Sequence, residues 1–386
     1  MKPIYLDYNA TTPIDHEVAE VMKPYLEEFF GNPSSSHWYG IRAKKAIEIA
    51  RSQVADLLGC QPDEIIFTSG GSESNNYAIK GVTFANRIKG NHIITSAIEH
   101  PAVTEVCKYL ETKEFRVTYL PVDEYGLVDI VKLQETITPQ TILISLMHAN
   151  NEVGTIQNIK KISEIAKQNE ILFHRDGVAT AGIIPVDVSE LGMDAYSFSS
   201  QQMYGPKGAA ALYLKKGVRL KPMLQGGIQE RGRRAGTENI PAIVGFGRAC
   251  EIAKNELDKN AKHISSIRDK LVKGIIEKID KVKLNGHPSG RIPGSAHISF
   301  EYIEGESILL MLNMEGIFAA SGSSCASQAL KSSYVLIEMG LSSTMAQGSI
   351  SFSLGKYNTE AEVDRTVGVL PPIIERLRKM SPLFKE

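Results

Sequence analysis

Short β-branched or apolar runs alternate with helical patterns through the first two-thirds of this 386-residue chain. Residues 64–68, 92–95, 116–120, 142–147, 171–174, 196–198 and 209–214 read as strands, bounded by Gly, Asp, Ser or Asn. Between or after them, residues 74–86, 101–111, 159–168 and 241–262 read as helices. Such alternation predicts an α/β fold, a mostly parallel sheet with helices on both faces. On such sheets ligands sit beyond the C-terminal ends of the strands. Every candidate site must meet that condition.

The helical pattern that starts near Ile240 runs past Asn255, and the style changes after Lys283 to shorter elements at 296–300, 307–313, 349–353 and 361–380. This predicts a large α/β domain over 15–255 that binds the ligand. Residues 1–14 and 256–386 then form a smaller α+β domain. No internal repeat or low-complexity segment is evident.

Composition narrows the function classes. With 43 basic and 44 acidic residues the net charge is −1, so no global field favours nucleic acid or an anionic membrane. Apolar stretches such as Ile308 to Leu312 are far shorter than the roughly 18 residues of a membrane span. The N-terminal MKPIYLDYNATTP lacks the apolar region of a signal peptide. The four cysteines, Cys60, Cys107, Cys250 and Cys325, form no CxxC pair. They argue against a disulfide framework or a self-contained zinc site and point to a reducing, cytoplasmic setting.

Several predicted strand ends carry polar residues. In FTSGGSESNN, Gly70 and Gly71 allow close backbone approach and Ser72 opens a helix. The pattern suits a phosphate at a helix N-terminus, or a plain N-cap. Glu99 and His100 follow the second strand, Asn150, Asn151 and Glu152 another, and Asp176 the next. Each could be a turn residue. Together, a histidine, an amide and a carboxylate suit a flat nitrogen heterocycle with a phosphate tail, the carboxylate holding the ring nitrogen.

The segments YLDYNATTP, GNPSSSHWYG, FTSGGSESNNYAIKG, EHPAV, ANNEVGTIQ, YGPKGAAALYL, GGIQERGRRAGTEN and SGSSCASQAL span nearly the whole chain. In order and spacing they resemble the cysteine desulfurases, pyridoxal-phosphate enzymes of the fold type I transferase class. The resemblance implies a homodimer with shared active sites. It implies that His100 stacks on the cofactor ring, that Asp176 holds its nitrogen and that Asn151 lies nearby. It further implies that Gly71, Ser72 and Ser199 hold the phosphate, with Thr237 reaching over from the other subunit. Arg231, Arg233 and Arg234, beside GTEN, would belong to a dimer-contact loop. Cys325, among the small residues of SGSSCAS, would lie on a mobile loop and accept sulfur from L-cysteine as a persulfide, for delivery to an iron–sulfur scaffold protein. As an isolated cysteine it would read as a small buried residue. The other three cysteines read as structural.

The chain departs from the family's pattern at four positions. In SFSSQQMYGPKG, Gln201 and Gln202 stand where the family has the His and the cofactor-bearing Lys. An amide neither forms the covalent link nor shuttles protons. Lys207 belongs to the GPKG turn and is no substitute. Ala179 replaces the glutamine that contacts the ring hydroxyl, and Ser351 the arginine that pairs with the substrate carboxylate. A serine offers no bidentate fork.

The resulting expectation is a desulfurase homologue of iron–sulfur assembly, with pyridoxal phosphate held non-covalently or absent and standard turnover impaired at Gln202. Cys325 would then either carry persulfide sulfur or ligate a nascent cluster shared with a scaffold partner, which must supply the other ligands. The alternatives are an active L-cysteine desulfurase using non-covalently bound cofactor, and a different binding protein on the same scaffold.

Overall fold

The structure is a computed structural model that describes residues 2–322, 332–382 and 384. Its strands are β1 (Ile4–Tyr5), β2 (Ile65–Thr68), β3 (His92–Ser96), β4 (Arg116–Leu120), β5 (Thr141–Ser145), β6 (Leu172–Asp176), β7 (Ala195–Ser199), β8 (Ala210–Leu214), β9 (Val282–Asn285), β10 (Ser295–Phe300), β11 (Ile317–Phe318) and β12 (Ser349–Ser353). The seven-stranded sheet runs β2-β8-β7-β6-β5-β3-β4. All neighbours are parallel except β8, antiparallel to both β7 and β2. The mostly parallel sheet expected from the alternation is therefore present. Strands β3, β5, β7 and β8 are buried at every residue, because helices cover both faces.

Two long segments escaped the sequence reading. Helices His16–Glu27 and Trp38–Leu58 pack against helix Ile240–Lys278. Trp38–Leu58 buries Ala43, Ala46, Ile47, Ala50, Val54 and Leu58, a helical stripe whose many alanines mute the hydrophobic signal.

Helix Ile240–Lys278 is continuous across the expected domain division at 255/256. Its first half buries Ile243, Phe246 and Cys250 in the core under the large sheet. Its second half buries Ile267, Leu271 and Ile275 in a second core, against the antiparallel sheet β12-β10-β9. Ile4 and Leu6 join that second core, and β1 pairs with β11. No described helix is long and apolar enough to cross a membrane.

A buried ion pair pins the segment that leads to Thr237. Arg51, on helix Trp38–Leu58, donates to both oxygens of Glu230 at 2.8 and 2.6 Å. Glu230 also accepts from the Phe67 amide at 2.9 Å, tying the loop to β2. Its backbone is left-handed, at φ 47°, so these contacts hold a conformation that glutamate avoids. Arg51 and Glu230 are only 4 % and 6 % exposed. Removing one partner strands the other without water. Glu230→Gln is expected to cost about 3–5 kcal/mol and to lower the melting temperature clearly. Glu48→Gln, which removes the half-exposed carboxylate 3.2 Å from Arg51, should cost under about 1 kcal/mol. Thermal melts of the two variants check this contrast.

Candidate active site

The C-terminal ends of β2, β3, β5, β6 and β7 converge on one cavity of about 180 Å³. The sequence-predicted Gly71, Ser72, His100, Asn151, Asp176, Ser199 and Gln202 all line it. Ala179, Gln201 and Ser351, the other departures from the family pattern, line it too.

The end expected to take a phosphate is the start of helix Gly71–Ala85, which has no side-chain N-cap among the described residues. Its first-turn N–H groups are thus available to an anion. A Cβ at Gly71 would stand 2.6 Å from a Val178 methyl, so only glycine allows this approach. Glu73, an acid in the same turn, binds the Ser69 amide at 2.8 Å and Arg234 at 2.9 Å and stays out of the cavity lining.

Asp176 is the last residue of β6 rather than a residue beyond it. It accepts from Asn75 Nδ2 at 2.7 Å and from the Val178 amide at 3.0 Å. Burial raises its pKa, a nearby His100 charge being the first opposing influence. A buried carboxylate fixed by two donors suits a protonated ring nitrogen. His100 caps helix Pro101–Glu111, its Nδ1 accepting from the Ala102 amide at 3.0 Å. That bond places the proton of the neutral ring on Nε2. The residues present therefore fit the pyridoxal phosphate that the resemblance implies, apart from its covalent anchor.

Gln202 sits in the 3₁₀ turn Ser200–Met203 and donates from Nε2 to the Asn9 carbonyl at 2.9 Å. Lys207 is exposed and outside the lining. No lysine or arginine among the described residues lines the cavity. Thr237 is exposed and does not line its own chain's cavity. Arg233 donates to the Asp63 carbonyl, and Arg231 lies 3.6 Å from Glu48. Cys107 and Cys250 are buried and Cys60 is partly so. Cys325 lies outside the described residues. Among the described residues no cluster of three or more His, Cys, Asp or Glu could hold a metal.

Three residues predicted at this edge behave differently from one another. Asn150 is a loop organiser, its Oδ1 accepting from the amides of Glu152 and Val153. Glu152 lines the cavity and accepts from Ser333 at 2.6 Å. Glu99 is fully buried and turned away, accepting from Ser96 at 2.6 Å and the Met147 amide at 3.0 Å. Sequence reasoning gave no role to Asp7, Asn9 or Arg175. Asp7 and Asn9 line the cavity, and the YLDYNATTP segment was their only signal. Arg175 is fully buried in β6, and none of its three guanidinium nitrogens has a hydrogen-bond partner among the described residues. Its neighbour His174 bonds Ser145 and Ser197 on the flanking strands. Burial pulls Arg175 down to about 9, with Glu99 the foremost opposing charge.

Burial pushes Glu99 up to about 8 from 4.5. Between those values the folded chain holds a proton that the unfolded chain has lost. Stability therefore falls as pH rises from about 4.5 to about 8 and levels off above. Glu99→Gln removes this dependence. Its melting temperature relative to the parent should rise between pH 5 and pH 8.5, by an amount worth more than about 1 kcal/mol. A flat difference across paired melts would refute the assignment.

Comparison with known proteins agrees with this geometry. Residues 4–366 match the family "Aminotransferase class-V". The chain is 52 % identical to "Cysteine desulfurase IscS" of Methanosarcina thermophila, over 99 % of this chain and 94 % of that protein. It is 48 % identical to "Cysteine desulfurase IscS 1" of Archaeoglobus fulgidus, over 99 % of each. Among solved structures, a "NifS-like protein" superposes with a TM-score of 0.92 at 41 % identity, covering 97 % of this chain and 100 % of the other. "SspA in complex with cysteine" does so at 0.82 and 35 %, covering 92 % and 100 %. The order of the strands, the residues at their ends and these similarities lead to one assignment: the chain belongs to the class-V aminotransferase family, among its cysteine desulfurases.

Proposed function

We propose that this chain is a cysteine desulfurase homologue of iron–sulfur cluster assembly whose standard turnover is impaired at Gln202. The observation that carries the reading is the Gln202 amide, bonded to the Asn9 carbonyl at the position of the family's lysine, inside a cavity that keeps its other binding groups. When bound, pyridoxal phosphate supplies an electron sink for the carbon beside the substrate's amino group. Asp176 would hold its ring nitrogen, His100 its ring face, and Gly71, Ser72 and Ser199 its phosphate, with Asn151 nearby. Binding is non-covalent in this reading.

The same cavity handles substrate poorly. Gln202 gives no amine to exchange with L-cysteine and no base to move its protons. Ser351 replaces a charge-assisted bond to the substrate carboxylate worth about 1.5–3 kcal/mol. Cys325 retains the family's position and composition. It would carry persulfide sulfur or ligate a nascent cluster, with a scaffold protein supplying the remaining ligands. A homodimer fits the exposed Thr237, which lies outside its own chain's cavity and would serve the partner's.

Sulfide release from L-cysteine under reducing conditions tests the reading. The parent protein should release sulfide at background. The variant Gln201→His/Gln202→Lys/Ala179→Gln/Ser351→Arg should release it at least about 100-fold faster, the lower range of acid–base catalysis. Equal rates well above background would favour an active desulfurase that uses unlinked cofactor, and equal rates at background would show that Gln202 and its three companions are not what limits turnover. Cys325→Ser should abolish the variant's release and, in cells, weaken cluster assembly. Unchanged assembly in cells would instead favour a different binding protein on this scaffold.

A further inference from the structure

The cavity's polar groups differ in sign from one end to the other. Away from the helix that opens at Gly71, the ionisable lining among the described residues consists of Asp7, Glu152, Asp176 and His100. Burial pushes Asp7 up to about 6 and Glu152 to about 7. A His100 charge opposes the shift at Glu152, and no lysine or arginine among the described lining residues adds a permanent positive charge.

The hydrogen bonds say which atoms remain for a ligand. Gln202 donates to the Asn9 carbonyl at 2.9 Å. A carbonyl only accepts, so the amide has one allowed orientation. One N–H of its NH₂ is fixed on Asn9, and its carbonyl oxygen is an acceptor that no donor among the described residues occupies. The Asn9 side chain spends its own donor on the Asn151 carbonyl and on Ser295, at 3.0 and 2.9 Å. The Asn75 amide donates to Asp176. In this lining, then, the Gln202 carbonyl oxygen and the Asp7 carboxylate are acceptors that no donor among the described residues occupies, while His100 Nε2 and the second Gln202 N–H are donors.

Residue 202 is where the family's lysine joins the aldehyde carbon of the cofactor, so whatever stands at 202 faces the substituent on that carbon. An aldehyde oxygen there needs a donor or a covalent partner. An ammonium needs acceptors. We propose that the cavity selects the amine form of the vitamin B6 phosphate, pyridoxamine 5′-phosphate, over the aldehyde form, with the Gln202 carbonyl oxygen and the Asp7 carboxylate receiving its ammonium. This rests on the reading that the cavity holds a B6 phosphate. It also deepens that reading, since the amine form has no carbonyl with which the amino group of L-cysteine could condense.

The test is competition binding to the full-length, cofactor-stripped protein. Pyridoxamine 5′-phosphate is bound first, followed by its fluorescence, and displaced with pyridoxal 5′-phosphate or pyridoxine 5′-phosphate. The amine form should bind at least about tenfold more tightly than either, the worth of one charge-assisted hydrogen bond. Gln202→Leu and Asp7→Asn should each reduce that preference. Gln202→Lys should reverse it. Equal or tighter binding of the aldehyde form to the parent protein would overturn this inference while leaving the cofactor reading intact. No binding of any B6 phosphate would overturn both.

Discussion

Asn9 holds the site together. Its amide donates to Ser353 Oγ at 2.8 Å, its side chain to the Asn151 carbonyl and Ser295 Oγ, and its carbonyl accepts from Gln202. Two of these partners lie on the strand ends and turns of the large sheet, and two on the small antiparallel sheet. A single short residue from the N-terminal segment therefore joins both cores at the rim of the cavity. These bonds are half-buried, and a partner left unmade in a fully buried place would cost about 1–3 kcal/mol. The relative placement of Asp7, Asn151, Gln202 and Ser351 depends on them.

Around that hub the site divides into a retained half and an altered half. The helix start at Gly71, the Asp176 carboxylate with its two donors, and His100 keep the features that suit a phosphorylated pyridine. The altered half faces the place where amino-acid chemistry would occur. There Gln201, Gln202, Ala179 and Ser351 replace groups that would bond covalently, donate, or carry positive charge. Three of the changes, at Gln201, Gln202 and Ser351, take basic groups out of one lining, while Ala179 takes out a neutral amide and the carboxylates stay. That bears on the substrate's carboxylate and on the form of the cofactor alike.

Much of this was legible because strand–helix alternation is local. The parallel order, the polar strand ends and the missing lysine follow from short windows of sequence. Helix Trp38–Leu58 was missed because alanine fills its buried stripe and scarcely registers as hydrophobic. EHPAV placed Glu99 and His100 together at a strand end, and only His100 was given a role. The strand's exit turns one onto Ser96 and the Met147 amide, and the other into the cavity. Arg175 was passed over because a charge inside a run of strand residues gives no sign of whether partners will meet it.

The sequence by itself determined the fold class, the family, the absence of lysine at 202 and of arginine at 351. Each is a matter of residue identity and nearby spacing. Only the tertiary structure decided which way the Gln202 amide points, which carboxylates share the cavity, and that Glu230 closes on Arg51. Those outcomes are set by partners far apart in the chain: 193 residues separate Asn9 from Gln202, and 179 separate Arg51 from Glu230. A hydrogen bond has a direction, and its direction exists only once both ends have been brought together.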